Sequence, residues 1–201
     1  DLTETTNNIY DGKVPGHWIS ISWTSSAIGF WFEECLKRHK QIDSWIFTKK
    51  PIIFWMTGFF NPQGFLTSMK QEISRAHNGW TLDNIALENE VTVYTKYDIQ
   101  KGPLEGVFCY GLFLDGAGWN KRQKELQEAI RKVIYTEMPV IHIYAVNSVE
   151  TKPLPGYRCP LYRKPRRTGL TYISELRLET PQGISPNEWV LRGVALLCDI
   201  K

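Results

Sequence analysis

The 201-residue sequence lacks a long hydrophobic run. Its most apolar stretch, residues 52–60, is interrupted by Thr57 and Gly58. A membrane-spanning helix needs about 20 apolar residues, so this stretch is expected to be a buried segment and no membrane partner is expected. The first twelve residues are polar and contain no signal-peptide core. The sequence opens at Asp1 without an initiator Met and reads as a fragment or a processed polypeptide. Cysteine is scarce: Cys35, Cys109, Cys159 and Cys198 are widely spaced, with no CxxC pair. That spacing argues against a zinc cluster. Each lies in an apolar stretch, so buried free thiols in a reducing compartment are expected rather than two disulfides. There is no Asn-x-Ser/Thr sequon, which agrees with an intracellular setting. Excess charge is small as well: 24 basic against 21 acidic residues leave +3. Bulk charge therefore marks neither a polyanion binder nor an acidic tail.

Aromatic residues, by contrast, are plentiful, with eight Trp, nine Tyr and nine Phe. Side chains of that size can build a core and exclude a disordered polypeptide. Between Ala27 and Ile46, the residues Ile28, Trp31, Phe32, Cys35, Leu36, His39, Ile42 and Ile46 recur at helical spacing. Ser25 and Ser26 offer caps, Glu33–Lys37 and Glu34–Arg38 lie on the opposite face, and Pro51 closes the segment. His39, beside the stripe, is expected to be a packed or boundary histidine. A second helix is predicted over Pro62–His77, capped by Asn61, with Pro62 in the first turn. Its stripe is Phe65, Leu66, Met69, Ile73 and Ala76, and Asn78-Gly79 ends it.

After Gly79 the period changes to two. Strands are predicted near 85–93, 107–114, 139–146, 157–162, 170–178 and 193–200, separated by Gly- and Pro-containing turns. One helix, Lys121–Tyr135, is predicted to interrupt them on the spacing of Leu126, Ala129, Ile130, Val133 and Ile134. A last helical turn starts at Ser185. The fold class is α+β: a helical part, residues 17–79, followed by a small six-stranded β-barrel, residues 80–201, with an interrupting helix. The two share a core, and residues 1–16 are a linker or the end of a preceding module.

Motifs for chemistry are missing. Gly111–Gly116 has the glycines of a phosphate loop but neither its Lys nor its hydroxyl. No Gly-x-Ser-x-Gly or His-Glu-x-x-His occurs, and His17, His39, His77 and His142 are far apart. Asp115 and Glu105 are a possible carboxylate pair that sequence alone leaves open. No catalytic, cofactor or metal residue is assigned. The strongest charge cluster is Arg163, Lys164, Arg166 and Arg167, flanked by Tyr157, Tyr162 and Tyr172. On a stand-alone barrel such a stretch would bind single-stranded nucleic acid. The near-neutral balance argues instead for a solvated loop or a contact with an acidic protein surface.

Several ordered segments resemble one family. Phe54-Trp55-Met56-Thr57-Gly58-Phe59-Phe60-Asn61-Pro62-Gln63-Gly64-Phe65-Leu66-Thr67 resembles the opening of the C-terminal domain of axonemal dynein heavy chains. Gly106-Val107-Phe108, Gly111–Ala117 with Trp119, Met138-Pro139-Val140-Ile141, Cys159-Pro160-Leu161-Tyr162 and Trp189 with Arg192–Cys198 follow in that family's order. The resemblance extends from about Trp18 to Lys201. Residues 164–168 and 199–201 look most like an outer-arm heavy chain of the gamma type. Asn61 departs from the aromatic or Thr common in the family, and caps a helix instead.

The resemblance implies a helical part and a barrel lying against the AAA+ ring of the same heavy chain. It implies no reaction here, with ATP and magnesium bound in other modules. It also implies microtubules and other dynein-arm subunits as partners of the whole complex, and the cytoplasm, cytoskeleton and ciliary or flagellar axoneme as location. The tryptophans Trp18, Trp23, Trp31, Trp45 and Trp55 exceed what a small helical half needs internally. The candidate interface is therefore Trp18, Trp23, Trp31 and Trp45, with Arg163, Lys164, Arg166 and Arg167.

Overall fold

The structure is a computed structural model that describes residues 2–200. They form two compact units, residues 2–50 and 51–200. The first holds three helices: α1 (Leu2–Tyr10), α2 (Gly16–Ile21) and α3 (Ile28–Phe47). The segment read as a linker or the end of a preceding module thus contains α1. The cap of α3 is Ala27 with no side-chain bond, because Ser25 donates instead to the Ala27 carbonyl at 3.1 Å. The helical period of α3 is as expected, but the covered side is rotated toward Glu34 and Arg38, with Ile28, Trp31 and Cys35 half-buried at its edge. Arg38 is buried, with its guanidinium 4.2 Å from the Trp23 ring centroid and 3.8 Å from Glu34. Phe32, Leu36 and Ile46 of the apolar stripe are exposed, and so is His39, contrary to the packed position expected for it. A guanidinium can stack on an indole while its stem covers apolar surface, so the charged pair faces inward.

The second unit opens with β1 (Phe54–Trp55), a 3₁₀ turn and α4 (Pro62–Ala76). Asn61 caps α4 by accepting from the Gly64 amide at 2.8 Å, and Pro62 fills the first turn. Phe65, Leu66, Met69 and Ile73 are buried, whereas Ala76 lies outside the packed stripe. Gly79, at φ +83°, follows the helix in the left-handed conformation.

The strands do not close into a six-stranded barrel. β2 (Ile85–Val91), β3 (Val107–Tyr110) and β8 (Ile141–Asn147) join β1 in a four-stranded sheet ordered β1-β3-β8-β2. β4 (Phe113–Asp115), β7 (Tyr135–Glu137), β9 (Tyr157–Tyr162), β10 (Tyr172–Leu178) and β11 (Ala195–Leu197) form a second sheet ordered β10-β9-β11-β4-β7. β5 (Gly118–Asn120) and β6 (Glu125–Gln127) are a separate hairpin. The run read as one strand over 107–114 divides between the two sheets at Gly111. This glycine has φ +80°, and a Cβ on it would lie 2.7 Å from the Trp55 ring. One apolar cluster, from Phe54 to Cys198, includes the buried face of α4 and residues of both larger sheets.

The interrupting helix is absent. Its residues make the turn and second strand of the β5–β6 hairpin, a turn-rich segment and the first residue of β7. Asn120 Oδ1 accepts from the Arg122 and Gln123 amides at 3.1 and 3.2 Å, and Lys124 and Lys132 have φ of +55° and +67°. Two left-handed residues are incompatible with a continuous helix. Of the apparent stripe only Leu126 is buried.

A polar bridge joins β2 to β10. Asn89 Nδ2 donates to the Arg177 carbonyl at 2.9 Å, and the Arg177 amide donates to Asn89 Oδ1 at 2.6 Å. One amide side chain thus stands in for a strand neighbour. Beside it Glu88, also buried, accepts from Arg158 and lies 3.5 Å from Arg177 Nε.

Candidate interface

The candidate tryptophans organise the first unit. Trp23 and Trp31 stack with centroids 5.2 Å apart at 12°, and Trp18 lies 5.1 Å from Trp31. Trp31 Nε1 donates to Ser22 Oγ at 3.0 Å. Trp23 is 7% exposed, and Trp18 and Trp31 are half-buried, so these rings are mainly the core of a unit too small for an aliphatic one. Trp45 is exposed. In the second unit Trp55, read as a surplus aromatic, is also only 7% exposed.

The outward surface of α3 consists of other residues. Phe32 and Leu36 are one turn apart, and Ile46 and Phe47 continue the same side past His39 and Asp43. Leu36 is 67% and Phe47 79% exposed. The spacing in the sequence places Phe32, Leu36 and Ile46 in the core and gives no signal at Phe47. The misleading feature is the uninterrupted stripe itself, since a stripe shows that a face will be covered without showing by what.

The basic cluster occupies the β9–β10 hairpin. The Arg163 amide donates to the Thr171 carbonyl at 2.7 Å, and Thr171 Oγ1 donates to the Arg166 carbonyl at 2.8 Å. Arg167 is turned inward along the sheet: Nη2 donates to Asp115 Oδ2 at 2.6 Å, and Nη1 to the Gly193 carbonyl. It latches the hairpin to β4 and to the approach to β11. Arg166 is exposed, and Arg163 and Lys164 are half-buried. Tyr162 and Tyr172 meet edge to face at 5.8 Å. The nucleic-acid alternative finds no support in this arrangement, in which Arg167 is held by Asp115 and the Gly193 carbonyl.

The remaining chemistry-bearing residues are dispersed within the second unit. Asp115 and Glu105 do not pair with one another. Asp115 binds Arg167, while Glu105 contacts His77 through its carboxylate and His142 Nε2 through its carbonyl at 2.8 Å. The His77 ring stacks on Trp80 at 4.2 Å. Burial pushes the Cys109 thiol up to about 12 and raises those of Cys159 and Cys198 as well. Thiols held protonated in this way are poor nucleophiles. Among the described residues no three His, Cys, Asp or Glu side chains group to hold a metal, and no helix is long and apolar enough to cross a membrane.

Residues 1–198 match the family profile described as the C-terminal domain of the dynein heavy chain. The sequence is 52% identical over its full length to human dynein axonemal heavy chain 8 and to mouse dynein axonemal heavy chain 5. It is 37% identical, over 99% of its length, to the gamma chain of the flagellar outer arm dynein of Chlamydomonas reinhardtii. In each case it spans about 4% of the relative's own length. A match over nearly the whole sequence, at 52% identity to the corresponding part of its relatives, shows that this protein belongs to the family of C-terminal domains of dynein heavy chains.

Proposed function

We propose that this polypeptide is the non-catalytic C-terminal brace of an axonemal dynein heavy chain, of the outer-arm gamma type, packed on the AAA+ modules of the same heavy chain. ATP hydrolysis with magnesium, and microtubule binding, belong to other modules of that heavy chain. The assembled motor, with its other arm subunits, works in the axoneme of a cilium or flagellum. The observation that carries this reading is the exposed apolar side of α3, which has the composition of a buried interface. Trp18, whose ring meets Phe32 edge to face, borders that contact, Trp45 is a further exposed ring on the Arg38 side of the helix, Trp23 and Trp31 stiffen the unit from behind, and Arg163, Lys164 and Arg166 offer a second, polar contact, with Arg167 fixing their hairpin.

A brace alters a motor only by touching its ring states unequally. An intact motor carrying Leu36→Asp and Phe47→Asp is therefore expected to show stall force and run length changed by about twofold or more, with ATP turnover retained. Twofold corresponds to about 0.4 kcal/mol of differential contact. Unchanged stall force and run length would refute the brace.

A further inference from the structure

One feature of the second unit is not used by the brace. Residues 93–97, Tyr110, Lys121 and residues 137–140 line an open cleft of about 210 Å³. Ligand pockets for drug-sized molecules run from about 300 to 1,000 Å³. This cleft suits an anchoring side chain rather than a whole cofactor.

Its walls are ordered by local bonds. Thr92 Oγ1 donates to the Val140 carbonyl at 2.7 Å, and the Val140 amide donates to the Tyr94 carbonyl at 2.9 Å. Asp98 Oδ2 accepts from both the hydroxyl and the amide of Thr95 at 2.7 Å, and these bonds hold its carboxyl below the usual range. That carboxylate is committed to the turn presenting Lys96 and Tyr97. The Lys96 ammonium stands 4.9 Å from the Tyr97 ring centroid and 5.3 Å from that of Tyr110. Cation–π contact places the charge while leaving its N–H donors available. Among the described residues neither Lys96 nor Lys121 has an acidic partner within salt-bridge distance. Glu137 is the only carboxylate on the lining. Tyr97 is 81% exposed and yet positioned.

We propose that this cleft docks an extended acidic segment of a partner protein. A carboxylate of that segment meets Lys96 and Lys121, and its apolar neighbour lies against Tyr94, Tyr97 and Pro139. Two cations against one carboxylate set the charge preference, and rigid tyrosines supply contact area at small entropic cost. The segment needs no reaction and no metal. Because the site is built from the second unit alone and includes no residue of α3, its failure and the failure of the brace are separate results.

The test is fluorescence anisotropy of a labelled peptide of about ten residues, built from Glu, Pro and Leu, titrated with the 201-residue protein. Binding is expected, and it is expected to weaken as salt rises from about 50 to about 300 mM. Lys96→Glu and Tyr97→Ala are each expected to weaken it about tenfold. Glu137→Gln is expected to tighten it about threefold, a gain that a merely structural residue would not give. Arg163→Glu with Arg166→Glu, in the basic hairpin, is expected to leave it unchanged. If Lys96→Glu does not fold, the exposed positions Tyr97 and Glu137 still decide the matter. No binding, a loss that follows the hairpin variants, or preferential capture of a single-stranded RNA of equal length would each overturn the proposal.

Discussion

A polypeptide ending at Arg192 is expected not to fold. The residues it lacks include β11, which lies inside the five-stranded sheet, parallel to β9 and antiparallel to β4. Val194 through Cys198 are each at most 1% exposed. Beyond the strand, the Cys198 amide donates to the Tyr162 carbonyl and the Asp199 amide to the Arg163 carbonyl. Thr57 Oγ1 donates to the Cys198 carbonyl, and the Tyr157 hydroxyl to that of Val194 at 2.6 Å. Burying a Val or Leu side chain stabilises by about 1.5–3 kcal/mol, so Val194, Leu196 and Leu197 alone approach the total stability of an ordinary domain, about 5–15 kcal/mol. Removing β11 also leaves β4 and β9 without the ladder partner between them. Circular dichroism on heating should show no cooperative transition for the truncated protein. A cooperative melt close to that of the 201-residue protein would show that β11 is dispensable.

The second large effect is expected at Glu88. Its carboxylate is buried between Arg158 and Arg177, and Arg177 also donates to Glu179 and to the Pro155 carbonyl. Breaking a buried ion pair by removing one partner costs about 3–5 kcal/mol, because the other charge is left without compensation. Because Arg177 keeps Glu179 and Arg158 reaches solvent, Glu88→Ala should lower stability in urea by an amount at the lower end of that range, about 3 kcal/mol. Glu88→Ala combined with Arg177→Met should cost less than the two single changes summed, by about 1–3 kcal/mol. Additive losses would mean that the two groups act independently. The effect belongs to folding, since neither group lines the cleft or belongs to α3.

How far the sequence discloses this fold depends on the distance over which each feature is decided. The α4 helix is legible because its signals are local: Asn61 caps, Pro62 starts, Gly79 follows, and the stripe between them is buried. The cores of the predicted strands are legible for the same reason. Their partners are not, because β11 enters between β9 and β4, pairings that span 35 to 84 residues and leave no local mark. The Lys121–Tyr135 segment misleads because helical spacing there coincides with a hairpin, and the left-handed lysines carry no compositional flag.

The candidate interface divides in the same way. An excess of tryptophan is visible in the sequence, but which rings become core depends on Trp23 stacking on Trp31 and on Arg38 closing over Trp23. The basic run is visible too, whereas its division into outward Arg166 and latched Arg167 depends on Asp115, 52 residues away. The Lys96 cleft has no sequence signature, being assembled from four separate stretches of the polypeptide.

The central claim is that the exposed side of α3 is covered in the working motor. Hydroxyl-radical footprinting of Phe32, Leu36, Ile46 and Phe47 tests it, comparing the 201-residue protein with the intact heavy chain. The account predicts that all four residues are readily oxidised in the short protein and protected by about tenfold or more in the motor, as expected of a fully buried interface core. Equal oxidation in both would contradict it.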